Sequence, residues 1–289
     1  MNPKKMISRN RESPLVSILI VAFNPWKYLI QTLRSCLDQT YQNTEILILD
    51  NASEEDIQVY FPTNSKIHII RSDVNLGPYK GLNFLLEKAH GTYIAIQDHD
   101  DIWHPHKLEK QIDFLEHHRK YRGCGTNTIM YYEADKKYFE YFIWETNYYT
   151  IHPSLVFRNT WNFHYDTDGT EYMCDAWSLK NNLCHGEKKI YNLPEPLTLH
   201  LIKAWSGNYS YRWHQLSWKN IRRVYQLHSF GYATLTIGWE ILRKGLYPLL
   251  NFLDQQNSIN PIERLPFRIM GNTIKKSQKN DWWNKYIGI

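Results

Sequence analysis

Residues 91–108 read GTYIAIQDHDDIWHPHKL, and the succession of residue types in this stretch decides the fold. Tyr93-Ile94-Ala95-Ile96 is a short apolar run with no polar alternation, which reads as a strand buried on both faces. The run leads straight into Asp98-His99-Asp100-Asp101. Three carboxylates within four residues repel one another, and ionised carboxylates are costly to desolvate unless paired or bound to a cation. The cluster is therefore either a solvated acidic turn or an edge that holds a cation. The motif alone does not choose between them, and its surroundings must.

Working back toward the N-terminus, Val16 to Phe23, VSILIVAF, is another uninterrupted apolar run rich in β-branched residues. Asn24-Pro25 ends it, and Trp26 to Leu37 carries apolar residues at helical spacing (Leu29, Leu33, Leu37). Glu45 to Leu49 is a second buried strand that ends at Asp50-Asn51. Ser53-Glu54-Glu55-Asp56 reads as a helix N-cap with an acidic first turn. Lys66 to Ile70 is a third strand, Asn75-Leu76-Gly77-Pro78 a loop and Tyr79 to His90 a helix. Strands alternating with helices predict an α/β fold with a mostly parallel sheet. Ligands of such sheets bind beyond the carboxyl ends of the strands. Asn24, Asp50 and Asp98 each stand at such an end, so a pocket explains them better than three unrelated turns.

These stretches resemble the inverting family-2 glycosyltransferases, which have the GT-A fold, Rossmann-like with flanking helices. The resemblance is dense over residues 15–118 and includes a DXD motif at Asp98-His99-Asp100. It resumes more weakly at Pro153 to Phe157 and at Tyr172 to Leu199. The resemblance implies a donor that is a UDP- or dTDP-sugar and a cofactor that is Mn²⁺ or Mg²⁺. It assigns Asp100 to the metal, with Asp98 toward the ribose or the metal. Asp50 matches the position that recognises the base, and Ala22, Phe23 and Asn24 would line the base pocket. Asn75 and Gly77 belong to the family's Asn-x-Gly loop. Lys80, just beyond, either meets phosphate or is a solvated helix lysine. Asp101 either belongs with the cluster or caps the next helix.

The acceptor hydroxyl must lose a proton as it attacks the anomeric carbon, and one positioned carboxylate suffices. The family places this base in a Glu-Asp pair before a helix, and Asp175 matches it. Cys174 stands where the Glu is usual, a departure that removes a neighbouring charge. Many relatives carry an Arg and a His near the diphosphate beyond the last strand. Leu201 and Lys203 stand where those are sought, so the imidazole is expected to be absent. Lys203 is either its replacement as a phosphate contact or an ordinary loop lysine. The aromatic stretch Tyr131 to Tyr149 either contacts the acceptor or forms a hairpin core.

Composition agrees with one large α/β domain plus an appendage. The chain has 289 residues, 43% hydrophobic and 22% charged, enough for a sizeable core. The N-terminal MNPKKMISRNRESP has no apolar core of a secretory signal. No run of about 18 uncharged apolar residues reads as a membrane span. Cys36, Cys124, Cys174 and Cys184 lack CxxC spacing and read as reduced thiols of a cytoplasmic protein. The net charge of +5 is uneven: residues 212–289 hold 12 Lys/Arg against 4 Asp/Glu. Leu235, Trp239, Leu242, Leu246, Leu249 and Leu253 form an apolar helical stripe in that basic region. It is either packed on the domain or laid on an anionic membrane surface.

The expected organisation is a flexible N-terminus (1–13), a GT-A domain (14–211) and a basic, helical extension (212–289). The expected function is sugar transfer to a hydroxyl of a glycan or lipid-linked acceptor in surface polysaccharide synthesis, at the inner face of a membrane. No nucleic-acid partner is expected. Two alternatives stand beside it. One is a catalytically inactive GT-A scaffold that binds nucleotide or glycan. The other is a sugar nucleotidyltransferase, which should carry a Gly-rich basic loop after its first strand, where this chain has FNPWKYL.

Overall fold

A computed structural model describes residues 13–60, 64–133, 136–143, 145–160, 162–167, 174–203, 218–227 and 282–287, with residues 234, 237–238 and 241. Its spine is four parallel strands in the order β3 (Ile67–Ser72), β2 (Thr44–Asn51), β1 (Val16–Ala22) and β4 (Tyr93–Asp98). β1 is covered on both faces, and its one polar side chain, Ser17, is buried and donates to Glu45. Val16, Ile18 and Ile20 face one layer, with Leu29 and Leu33 of α1 (Trp26–Leu37) and Leu108, Ile112 and Leu115 of α3 (Lys107–His117). Leu19 faces the other layer, with Leu47, Leu49, Ile94 and Ile96 and with Leu82 and Leu85 of α2 (Pro78–Leu86). Each such side chain contributes about 1.5–3 kcal/mol when fully buried. Gly81 lets α2 approach: a Cβ there would stand 3.0 Å from Leu49 and Val21 side-chain atoms.

The second half extends the sheet with mixed pairing. β9 (Val156–Arg158) runs antiparallel between β4 and β6 (Gly123–Tyr132). β6 pairs in parallel with the long β10 (Ile190–Ile202), which bulges at its Pro194-Glu195-Pro196 segment, where proline removes ladder donors. β5 (Ile102–Trp103) closes that edge against β10. The aromatic stretch forms a hairpin of β6 with β7 (Lys137–Tyr141), setting Tyr131 opposite Tyr138. A short β8 (Thr146–Asn147) also pairs with β10.

Two expectations are corrected. Ser53-Glu54-Glu55-Asp56 does not open an α-helix: a 3-10 turn follows at Ile57–Tyr60, and the Ser53 side chain is spent elsewhere. The helix expected from Tyr79 to His90 runs from Pro78 to Leu86, ending before the turn into β4. Trp282-Trp283 lies in a 3-10 turn (Trp282–Lys285) packed on the sheet. Trp283 and Tyr286 are buried against Ile102, Ile129 and Leu199, and Lys285 and Tyr286 both reach Asp38 of α1's C-terminal end, at 2.9 and 3.0 Å. Within the extension, α5 (Trp218–Leu227) is helical and accepts a Lys180 hydrogen bond at Gln226 O. The apolar stripe Leu235–Leu253 lies outside the described residues. Among the described residues no helix is long and apolar enough to cross a membrane.

Candidate active site

Register brings the polar strand ends to one level. Ala22 stands opposite Asp50 across β1 and β2, Val21 opposite Asp98 across β1 and β4, and Asp50 opposite Arg71 across β2 and β3. Asp50 is fully buried; its Oδ1 accepts the Ser53 N–H at 3.0 Å and its Oδ2 meets the Arg71 guanidinium at 2.5 Å. Arg71 also donates to Ser53 O, so it is held at two points. Arg71 was not anticipated, although it follows directly on the third apolar strand and so stands at the same sheet edge.

Asn24 turns the chain after β1 with φ of 46°, a left-handed geometry that Asn tolerates better than most residues. Its N–H donates to Ser53 Oγ at 3.0 Å and its Oδ1 accepts the Glu54 N–H at 2.9 Å. This locks the β1 and β2 loops together. Ala22 is buried beneath them, and Phe23 is exposed. Asn51 carries the third loop: its Oδ1 accepts the Leu76 N–H and its Nδ2 donates to Asn75 Oδ1, at 2.8 and 2.9 Å. Asn75 Oδ1 also accepts the N–H of Gly77, whose φ of 76° suits glycine. Lys80 projects into solvent from α2, apart from these contacts.

The acidic loop is partitioned among protein cations. Asp101 does not cap α3. It is fully buried, its Oδ1 accepting the Leu201 N–H and its Oδ2 the Nδ1–H of His200, each at 2.8 Å. Burial opposes the charged imidazole, but Asp101, with Asp98 and Asp100, lifts the His200 pKa to about 9. The imidazole expected to be absent is therefore present, one residue before Leu201; the strand's side-chain alternation puts His200 on the face of the acidic loop. Asp100 pairs with Lys203 at 2.7 Å, and although burial opposes it, His99 and Lys203 hold its carboxyl below the usual range. Asp98 is pushed well above the usual range by burial and by Asp101 and Asp100. Ligand atoms of Asp98, Asp101 and His200 lie within 4.8 Å of one another. Crowded oxygen donors with one imidazole, and a carboxyl driven toward its neutral form by burial and by like charge, form a set that a hard divalent cation would fit.

Asp175 opens α4 (Cys174–Ser178), half-buried. Its charge acts on the buried hydroxyls of Tyr79 and Tyr165, raised mainly by burial, and on Asp98. His152 completes this wall. It shares a 2.8 Å hydrogen bond with Tyr165 OH, and its Nδ1 is 3.9 Å from Asp98. Burial lowers its pKa. His152 and Tyr165 had no sequence signal beyond their nearness to the weakly matching segment at Pro153. Cys174, where the family resemblance leads one to expect Glu, turns inward. Its Sγ donates to Asp166 O at 3.0 Å, and it is buried in the layer with Leu179 and Leu183. A packing group thus stands where a charge was expected. Tyr172 and Met173 lie outside the described residues.

Comparison with known proteins agrees with this geometry. The sequence is 35% identical over 125 residues to EpsE of Bacillus subtilis, a glycosyltransferase by name, covering 42% of this chain and 45% of that protein. It is 36% identical over 106 residues to TuaG of the same organism, named for teichuronic acid biosynthesis, covering 35% and 42%. It is 33% identical over 159 residues to an uncharacterized glycosyltransferase of Haemophilus influenzae, covering 51% and 64%. The matches thus span from under half to under two thirds of these relatives. Among solved structures, residues 1–349 of S. aureus TarS superpose with a TM-score of 0.57 at 15% identity, covering 88% of this chain and 78% of that one. That likeness establishes the GT-A fold. The profile of the family described as "Glycosyl transferase family 2" matches residues 17–177, more than half of the chain, and the chain belongs to that family.

Proposed function

We propose that this chain moves a sugar from a UDP- or dTDP-sugar to a hydroxyl of a glycan or lipid-linked acceptor, with inversion at the anomeric carbon. The carrying observation is the register that sets Asp50 of β2 and Asp98 of β4 at one edge of the parallel sheet, on either side of β1, with the charge of Asp175 acting on Asp98, Tyr79 and Tyr165 and with His152 bonded to Tyr165. S. aureus TarS has been crystallised with UDP and with UDP-GlcNAc, and TuaG is named for a polysaccharide pathway, which supports this class of donor and acceptor.

Each residue then has a task. Asp50 and Arg71 form a recognition pair for the imide edge of uracil or thymine, while Ala22, Phe23 and Asn24 wall the base. The Asn75–Gly77 loop borders the nucleotide, and Lys80 stands beyond it within reach of long-range attraction only. Asp98 and Asp100 hold a divalent cation, Mn²⁺ or Mg²⁺, with His200 beside them; when bound, it offers Lewis-acid stabilisation to a leaving diphosphate. Lys203 meets that diphosphate as a point charge. Asp175 accepts the acceptor's hydroxyl proton as the new bond to the anomeric carbon forms. The bond from that carbon to the diphosphate oxygen breaks on the opposite face, and its electron pair leaves with the diphosphate.

Calorimetry with UDP and dTDP, in Mn²⁺ and in chelator, tests the reading. Binding is expected to need the metal, and Asp100→Ala is expected to erase the difference. Equal wild-type affinity in chelator removes the metal from the mechanism, and binding without any sugar transfer or donor hydrolysis leaves a nucleotide-holding scaffold.

A further inference from the structure

We propose that Lys203 is the resident counter-ion of the acidic loop, surrendering Asp100 to a divalent cation only when a nucleoside diphosphate offers the ammonium another partner. Metal entry is thereby conditional on the nucleotide. This rests on the donor reading above and adds to it an order of events set by one side chain.

Lys203 follows directly on β10 and is fixed from two sides. Its Nζ is 2.7 Å from Asp100 Oδ2 and 4.4 Å from the centre of the Tyr28 ring. That ring is itself anchored, since Tyr28 OH lies 2.8 Å from both carboxylate oxygens of Glu133. Glu133 continues β6, and its N–H donates to Ile202 O at 3.1 Å, next to Lys203. The ammonium thus rests on a prepared π-face, a favourable seat for a cation. The side chains of Lys203 and Asp100 are 25% and 18% exposed. At that depth the pair is screened less than on a surface, yet both partners remain reachable from solvent.

The partition of the loop makes the exchange specific. Asp101 is spoken for by His200 and by the Leu201 N–H. Asp98 has the His152 Nδ1 at 3.9 Å. Asp100 is the carboxylate held by a lysine ammonium. A cation approaching Asp100 from solution competes with a tethered ammonium of high effective concentration. A diphosphate reverses the balance, because an ammonium binds phosphate oxygens well and the metal gains those oxygens as further ligands. By linkage, the factor by which nucleotide raises metal affinity equals the factor by which metal raises nucleotide affinity.

The test reads metal binding directly, by the electron paramagnetic resonance of free Mn²⁺ titrated with full-length protein, alone and with saturating UDP. Lys203→Met is expected to bind Mn²⁺ alone at least about tenfold more tightly than the wild type, with the Mn²⁺–UDP coupling reduced by a similar factor. Lys203→Arg keeps the charge and should keep metal-alone affinity low. Asp100→Asn should change metal-alone binding little in the wild type, yet cancel the gain in Lys203→Met. Lys203→Gln replaces the Met variant if that one does not fold. If the neutral variants bind UDP but take up Mn²⁺ alone no more tightly than wild type, the counter-ion proposal is overturned. If no form of the protein binds UDP or dTDP under any condition, the donor reading fails and this proposal falls with it.

Discussion

Lys107 enters α3 with its ammonium fully buried, 3.8 Å over the Trp103 ring, and among the described residues its Nζ has no hydrogen-bond partner. Burial lowers its pKa from 10.5 to about 7. The unfolded chain therefore binds a proton between those values that the folded chain refuses. Stability contributed by neutral Lys107 is full above the unfolded pKa and falls by up to about 1.4 kcal/mol per unit as pH drops toward 7, then levels off. Lys107→Met should raise the urea midpoint at pH 7 and flatten its rise between pH 7 and 10; an unchanged slope would show that the ammonium is solvated. Asp175 bears on chemistry instead of stability. Asp175→Asn keeps the shape but loses the basic oxygen, so donor affinity should persist while transfer falls by ~10²–10⁴. Near-wild-type turnover would place the base on another residue. Nothing local in the sequence reveals that Lys107 is buried over Trp103.

At the scale of elements, the strands that carry the donor edge were legible and the pieces that cross it were not. β1 and β4 announce themselves as apolar runs because both faces are covered, and α1 was legible from end to end because Leu29 and Leu33 fall on one stripe. Asn24, Asp50 and Asp98 were legible for the same reason: a polar residue directly after a buried parallel strand has one sheet edge to occupy. β10 was harder. Its bulge at Pro194–Pro196 shifts the register with β6, so counting along the sequence does not say which of His200, Leu201 and Lys203 faces the acidic loop. His200 and Lys203 both do, two and five residues from Thr198, the residue paired with Trp103 of β5. Arg71 and His152 depend on pairing between strands and on a 3-10 turn (His152–Ser154), neither of which leaves a periodic trace.

At the scale of the whole molecule, charge is the feature that fold alone does not explain. Residues 212–289 carry a net +8, from 12 Lys/Arg and 4 Asp/Glu, against −3 for the rest of the chain. Basic residues near an anionic bilayer contribute about 1 kcal/mol each, less at high salt. The extension is thus proposed to hold the enzyme at the inner surface of a membrane, where a lipid-linked acceptor would be. The full chain should co-sediment with anionic but not neutral liposomes and be released by salt. Failure to bind either would leave the charge merely solvated. Trp283 does not serve that contact, since it is buried against Leu199 and Ile102. Its position has a consequence for biosynthesis. Leu199 and Trp283 are separated by about 80 residues, which at ~5–20 residues per second take several seconds to translate. During that interval the edge formed by β5 and β10 lacks its cover, and the strands bearing Asp101's partners have their apolar flank open to the nascent chain's surroundings. The window ends when Trp283 and Tyr286 leave the ribosome and dock, so this flank of the site closes well after β10 has been made.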